Sequence, residues 1–308
     1  MRILGTGLTG LVGSRVAELL NNVYEFEFIN LENNINILDK KSVFKAVLSS
    51  KAPILIHMAA KTNVDGCELD KKKDREILNF KNQSQKEDAW VREQTAWGIN
   101  VFGTQNVIEA CQEYNKKIIY ISTDFVFNGQ KKSYSEEDLP DPINWYAKTK
   151  YEGEKLIQNS GLEWIIARLA YPYRAFFERS DLVRVLISKL KRGEKLNMIT
   201  DHIMVPTFID DIANALDVLI QRKAKGIFHV VGSQAITPYE LAFKIAKEFN
   251  LNPLLISKTT RREYFAAKAP RPFCLNLKNA KISNLGAEML SVDAGLREIK
   301  NQIEKIKI

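Results

Sequence analysis

The sequence predicts an α/β protein built on a doubly wound parallel sheet. Strand-like apolar runs alternate with helix-like segments through the first half of the chain, the pattern of a parallel sheet covered on both faces. In addition, the first such strand runs directly into a glycine cluster that opens a helix. That arrangement brings backbone N–H groups close to an anion.

The elements follow in order. Residues 2–6 read as a short strand, 11–21 as a helix and 25–31 as a second strand. Asp39 suits the N-cap of a helix running to about residue 50. Residues 53–57 form a third strand, 97–114 a helix, 117–122 a fourth strand, 144–158 a helix and 163–168 a fifth strand. Beyond them, 181–191, 210–221 and 238–249 have helical patterning, 226–231 reads as another buried strand, and an amphipathic helix starts at about residue 293. No internal repeat or low-complexity linker separates the halves, so the lobes are expected to interleave. Residues 1–168 with about 207–232 make the larger lobe, and 169–206 with 233–308 the smaller C-terminal one. Residues 66–95 stand apart as a charged insertion (DKKKDREILNFKNQSQKEDAW within it) between a strand and a helix. So long a connection reads as a solvated excursion or, more sharply, as a lid or oligomer contact near a ligand.

Composition narrows the class. The 308 residues are 45% hydrophobic and 27% charged, enough for a full core. The longest apolar run, 53–60, is interrupted by His57 and falls short of a membrane span, so no membrane partner is expected. Met1, Arg2, Ile3 and Leu4 lead at once into glycines, unlike a secretory leader. Cys67, Cys111 and Cys274 are odd in number and widely spaced, which argues for a reducing, cytoplasmic setting and against a zinc site. The net charge of +8 would suit an anionic ligand. The lysines are scattered, however, and Lys71, Lys72 and Lys73 sit among acids. A solvated surface explains them, and no nucleic-acid-binding motif is present.

Gly7, Gly10 and Gly13 spell GxxGxxG, while Gly5, Gly7 and Gly10 spell GxGxxG, so spacing alone leaves the register open. Either register cradles a dinucleotide pyrophosphate. Glu32, near the end of the second strand, would accept from ribose hydroxyls and favour NAD. Arg15 could instead serve a phosphate, so the choice between NAD and NADP stays open.

Tyr146 and Lys150 are four apart on a predicted helix and share a face. A neighbouring ammonium stabilises phenolate, and a tyrosine so placed can give its proton to a carbonyl oxygen as hydride arrives. Upstream, Ser122 and Thr123 end a strand, where ligand groups gather in a parallel sheet. Either hydroxyl could hold a substrate oxygen against the tyrosine.

The motifs GLTGLVG, HMAA (57–60), INVFGTQNV (99–107), ISTDFVFNG (121–129) and WYAKTKYEGEKL occur in an order that resembles extended short-chain dehydrogenases. Among these the chain most resembles the dTDP-4-dehydrorhamnose reductases, the last enzymes of dTDP-rhamnose synthesis. MVPTFIDDIANAL (204–216) and APRPFCLNLKNAKISNLG (269–286) extend the likeness, so it covers nearly the whole chain outside the insertion. The resemblance implies a Rossmann-type cofactor lobe, a smaller lobe for a nucleotide-sugar substrate, and reduction of a 4-keto sugar by NADPH or NADH. It makes Thr123, Tyr146 and Lys150 the catalytic trio. Gly7, Gly10, Leu11, Val12 and Gly13 fall at the pyrophosphate, and Asn36 and Ile37 at adenine. Ala59, Ala60, Lys61 and Ser122 line the rest of the cofactor, which Tyr146 and Lys150 also touch. Thr62, Val64, Asp124, Phe125, Tyr171, His202 and Arg271 fall at the substrate. The implied partners are the nucleotide sugar and, for assembly as a homodimer, a second copy of the chain.

The chain departs from the family at Asn36, where relatives usually carry aspartate, and at Lys61 and Tyr171, which replace other aromatic residues. Nucleotide-sugar dehydratases of the superfamily carry a glutamate where this chain has Phe125, which cannot transfer a proton. Epimerases need no such glutamate, so only the C-terminal likeness separates them. Of the remaining candidates, His57 and His229 read as core histidines. Arg271 suits a diphosphate or a surface ion pair. Trp90 and Trp97 read as packing for the insertion, and Asp210 and Asp211 as helix-start capping rather than a metal pair.

Overall fold

A computed structural model describes residues 1–305. Its strands are β1 (Arg2–Thr6), β2 (Glu25–Ile29), β3 (Ile54–His57), β4 (Lys117–Thr123), β5 (Trp164–Leu169), β6 (Pro172–Tyr173), β7 (Leu196–Ile199), β8 (Thr207–Phe208), β9 (Gly226–His229) and β10 (Ile256–Thr259). Its helices are α1 (Gly13–Leu20), α2 (Lys40–Ser49), α3 (Val64–Leu78), α4 (Gln83–Glu93), α5 (Gly103–Glu113), α6 (Trp145–Gln158), α7 (Leu182–Lys191), α8 (Ile209–Gln221), α9 (Pro238–Glu248), α10 (Arg261–Tyr264), α11 (Ala280–Ser283) and α12 (Val292–Lys305).

Six strands form one sheet in the order β2-β1-β3-β4-β5-β9. β1 runs parallel to β2 and β3, and β3 parallel to β4. The doubly wound sheet read from the sequence is therefore present. The chain steps outward from β1 to β2, then crosses β1 to begin β3 on its other side. The strand order reverses at the carboxyl ends of β1 and β3, where open α/β sheets hold ligands. Every residue of β3 is buried, as expected of a strand covered on both faces. Leu4, Ile29, Leu55, Ile118, Tyr120 and Ile166 share one core cluster. Among the described residues no helix is long and apolar enough to cross a membrane.

The chain divides into two compact units. The first is Met1–Val126, Pro140–Ala167 and Ala224–Ile227, and the second is Phe127–Leu139, Arg168–Lys223 and the chain from Phe228. Residues 207–223 fall in the second unit, where β8 pairs in parallel with β6. That unit has its own core, which includes Tyr173, Leu186, Phe208, Leu241 and Leu296.

Residues 66–95 are not a solvated connection. They fold as α3 and α4, capped by Asn63 and Asn82, whose side chains accept from Gly66 N and Gln85 N. Cys67, Asp74 and Ile77 lie on the buried stripe of α3. A carboxylate inside that stripe interrupts the apolar period that would have announced the helix. The helix expected at 97–114 begins as a π turn over Gly98–Phe102 before continuing as α5. Such turns often accompany functional sites.

Asn100 sits in that π turn, 1% exposed. Its oxygen accepts from Lys61 N at 2.8 Å, and its amide donates to Lys61 O at 3.1 Å and to Thr149 Oγ1 at 2.9 Å. One side chain thus ties the loop after β3 to α6. Removing it strands buried polar groups at both ends, so Asn100→Ala should lower the unfolding free energy by about 1–3 kcal/mol in urea denaturation. A loss under about 0.5 kcal/mol would show the tie to be dispensable.

Candidate active site

The glycine turn sits at the strand-order reversal. Gly7 has φ +69°, and a Cβ there would lie 2.6 Å from Ala59 N. The turn after β1 and the loop after β3 therefore meet at a distance that only glycine allows. At Gly13 a Cβ would lie 2.5 Å from Gly7 O, so α1 starts hard against the turn. Gly5 lies within β1, which places the turn in the GxxGxxG register of Gly7, Gly10 and Gly13. Leu11 and Val12 complete the turn. α1 has no side-chain cap and no acid in its first turn, which suits a pyrophosphate at its N-terminus.

His57 organises the neighbouring strand ends. Thr104 Oγ1 donates to Asn100 O at 2.8 Å, so it accepts from His57 Nε2 at 2.9 Å. His57 Nδ1 then accepts from Thr6 Oγ1 at 2.6 Å, and Thr6 Oγ1 itself accepts from Ala59 N at 3.1 Å. Burial and the Lys150 charge push this histidine down to about 3, so it is a neutral core residue.

The adenine candidates form a structured turn. Asn36 Oδ1 accepts from Leu38 N, and Asn106 donates to Ile37 O. β2 stops at Ile29, which leaves Glu32 three residues beyond its end. Arg15 pairs with Glu18 at 2.6 Å. Lys61 reaches Asp70 at 2.7 Å and Gln94 O at 3.2 Å. Ala60 and Thr62 flank it, and Val64 opens α3.

At the end of β4, Ser122, Thr123, Asp124 and Phe125 are all buried, as are Tyr146 and Lys150 on α6. α6 starts there because Asn144 caps it, accepting from Ala147 N at 2.9 Å. Thr123 Oγ1 contacts Asp124 Oδ1 at 3.1 Å, accepts from Phe125 N at 3.3 Å, and shares a hydrogen bond with the Tyr146 hydroxyl. The Phe125 ring meets the Tyr146 ring edge-on, with centroids 6.2 Å apart. Burial drives the Tyr146 phenol well above its usual 10, against the opposing pull of Thr123. Lys150 lies one turn after Tyr146 on α6. Its ammonium stands 4.0 Å over the Tyr120 ring, and burial pushes it from 10.5 to about 7 against the pull of Glu154. Ser122 Oγ and Asp124 Oδ2 are buried with no hydrogen-bond partner. A glycine cradle after β1 and unmatched polar atoms at the end of β4, with β3 between them, fit a dinucleotide with a polar co-ligand.

Tyr171, His202 and Arg271 belong to the second unit. Tyr171 has φ +41°, rare for a bulky residue, and its hydroxyl lies 2.8 Å from His202 Nε2. His202 Nδ1 donates to Pro272 O at 2.9 Å, so Nε2 accepts from the tyrosine. Arg271 donates to Ala269 O at 2.6 Å, with its guanidinium 5.0 Å from the Phe265 ring centre. His229 is a core residue whose Nδ1 donates to Lys278 O at 3.1 Å. Asp210 and Asp211 lie in the first turn of α8. They accept from Gln302 Nε2 and Leu290 N, both at 2.8 Å. Among the described residues no three His, Cys, Asp or Glu side chains group as metal ligands. Asn100 is a further residue of the site, tying the loop after β3 to α6. Its signals are an amide amid apolar neighbours (INVFG) and its place in the INVFGTQNV motif.

A parallel sheet with a glycine turn at its order reversal and a buried Tyr-x-x-x-Lys helix beside the next strand end defines a protein of the extended short-chain dehydrogenase type. The family model described as the RmlD substrate binding domain matches residues 1–85 and 79–304, and the chain belongs to that family. A dTDP-4-dehydrorhamnose reductase of Aggregatibacter actinomycetemcomitans is 29% identical over 290 residues, 90% of each chain. The methionine adenosyltransferase 2 subunit beta of Pongo abelii is 29% identical over 299 residues, 92% of this chain and 82% of that one. The structure of dTDP-4-dehydrorhamnose reductase from Bacillus anthracis in complex with NADP superposes with a TM-score of 0.83 at 27% identity, covering 98% of this chain and 99% of that one.

Burial pushes the Asp124 carboxyl up from 3.8 to about 7, against bonds from Thr123 and two backbone N–H groups. Above pH 3.8 the folded chain keeps a proton that the unfolded chain has released. Stability therefore falls as pH rises through this window, and the loss is complete once pH exceeds about 7. Asp124→Asn cannot titrate. Urea unfolding across about pH 4 to 8 should show the wild type losing ground to this variant. Parallel curves would assign Asp124 an ordinary carboxylate pKa.

Proposed function

We propose that the protein is an NADPH- or NADH-dependent reductase of a nucleotide-linked 4-keto sugar, of the dTDP-4-dehydrorhamnose reductase kind. The observation that carries this is the buried contact between Tyr146 and Thr123 at the end of β4, with unmatched Ser122 and Asp124 oxygens beside it. The likeness to reductases over nine-tenths of the chain supports it.

When bound, the dinucleotide supplies a hydride. Gly7, Gly10, Leu11, Val12 and Gly13 would hold its pyrophosphate, and Asn36 and Ile37 its adenine. Ala59, Ala60, Lys61 and Ser122 would line the remainder, and Lys150 would reach the ribose. Tyr146 keeps its proton at neutral pH because burial disfavours phenolate. Only an oxygen turning into an alkoxide is basic enough to take that proton. Thr123 holds the carbonyl oxygen in line and then hydrogen-bonds the phenolate left behind. Phe125 offers no second acid, so elimination is poorly served and simple reduction is favoured. Thr62, Val64, Asp124, Phe125, Tyr171, His202 and Arg271 would contact the nucleotide sugar. Three free cysteines fit a cytoplasmic setting.

With dTDP-4-keto-6-deoxyhexose as substrate, loss of NADPH or NADH absorbance should be catalytic, and Tyr146→Phe should slow it by about 10² or more. An unchanged rate would remove Tyr146 from the mechanism. A second reading has equal identity behind it: the methionine adenosyltransferase 2 subunit beta of Pongo abelii is also 29% identical, over 92% of this chain and 82% of its own. Dinucleotide binding without turnover, together with stable co-purification of another enzyme, would favour such a non-catalytic role. Retained cofactor and interconverted sugar epimers would favour an epimerase.

A further inference from the structure

Helix α3 is the segment that the sequence left without a role. Its carboxylates reach N–H groups at the start of α6 and just before the π turn, all within the first unit. Glu68 Oε2 accepts from Trp145 N at 2.7 Å. Asp74 Oδ2 accepts from Trp145 Nε1 at 2.7 Å and from Trp97 N at 3.0 Å. Asp70 Oδ2 accepts from Ala96 N at 2.8 Å and pairs with Lys61 Nζ at 2.7 Å.

Trp145 opens α6 and immediately precedes Tyr146. Its main chain and its indole are both held by α3, and its ring lies 5.6 Å from that of Trp97. Asp74 is wholly buried. Burial raises the Asp74 pKa and its Oδ1 has no hydrogen-bond partner, so the carboxyl is held in place through the N–H bonds that Oδ2 accepts. A solvated helix would need no such residue. The first turn of α6 is therefore fixed from outside as well as by its own cap, and Tyr146 is the residue whose placement that fixes.

We propose that α3 is a brace for the acid–base tyrosine: Asp74 and Glu68 lock Trp145 and so hold Tyr146 against Thr123. The kinetic consequence rests on the reductase reading. Neither carboxylate touches reacting atoms, so both are positioning residues.

The test compares Asp74→Ala, Asp74→Asn, Trp145→Phe and the double variant D74A/W145F. Asparagine keeps an oxygen acceptor at the position, whereas phenylalanine removes the indole donor. Asp74→Ala should lower kcat roughly 10-fold or more, as small misplacements of a reacting group do, with the NADPH dissociation constant within about 2-fold of wild type. Asp74→Asn should recover most of the rate. The double variant should be no slower than the slower single one, because both changes break the same bond. Folded Asp74→Ala with wild-type kcat, a loss that Asp74→Asn fails to recover, or losses that multiply would each overturn the brace.

A second readout needs no substrate. In protein labelled with 3-fluorotyrosine, the Tyr146 signal is the one lost in Tyr146→Phe. It should shift in Asp74→Ala and return in Asp74→Asn while the other tyrosine signals stay in place. If the wild type reduces no keto sugar nucleotide, the reductase reading fails and the fluorine signal alone decides: an unmoved signal in Asp74→Ala sinks the brace. Should Asp74→Ala not fold, Trp145→Phe is judged by the same two measurements.

Discussion

Desolvation at the end of β4 governs the chemistry of this chain. Thr123, Asp124, Tyr146 and Lys150 are each at most 9% exposed. In such surroundings the charged forms are disfavoured, and the three titratable groups, Asp124, Tyr146 and Lys150, drift toward neutrality. The phenol keeps its proton, the ammonium titrates near neutral pH and the carboxyl rises to meet it. Burial would cost stability and return nothing if the groups had no task. Perturbed titrating groups gathered at a strand end mark a functional site.

The surrounding structure maintains that dryness. Asn100 closes the loop after β3 onto α6, His57 pins the ends of β1 and β3 together, and the Phe125 ring covers Tyr146 from the side. None of these residues donates a proton to a substrate, yet each fixes a wall or an anchor. Phe125 matters twice, because an acidic side chain there would bring a second charge into the dry region and a second kind of reaction with it. The glycine turn supplies the other half of the arrangement. With no Cβ at Gly7, the two loops of the strand-order reversal touch, and the N-terminus of α1 faces that junction.

Much of this was legible in the sequence. Alternating apolar runs gave the doubly wound sheet and almost every long helix, because strands buried on both faces and amphipathic helices carry their periods openly. The glycine register was not legible. GxGxxG and GxxGxxG overlap in the letters, and only the strand position of Gly5 and the packing of Gly13 against the turn separate them. Residues 66–95 misled for a different reason. Their charges signal solvent, while Asp74 occupies a core position and is paired there with N–H groups far along the chain. Long-range partners leave no mark on local periodicity. The same holds for Asn100, whose three bonds span 39 and 49 residues, and for the Tyr120 ring beneath the Lys150 ammonium, 30 residues earlier in the chain. Spacing on a helix shows which residues share a face. It does not show what that face meets.

The most direct measurement follows the hydrogen itself. The protein would be given a nucleotide-linked 4-keto-6-deoxyhexose and NADPH deuterated at the transferring position of the nicotinamide, and the sugar product weighed by mass spectrometry. A reductase built around this dry cluster places one deuterium on the former keto carbon for each cofactor consumed. Product without deuterium, or binding of NADPH with no sugar converted, would contradict it.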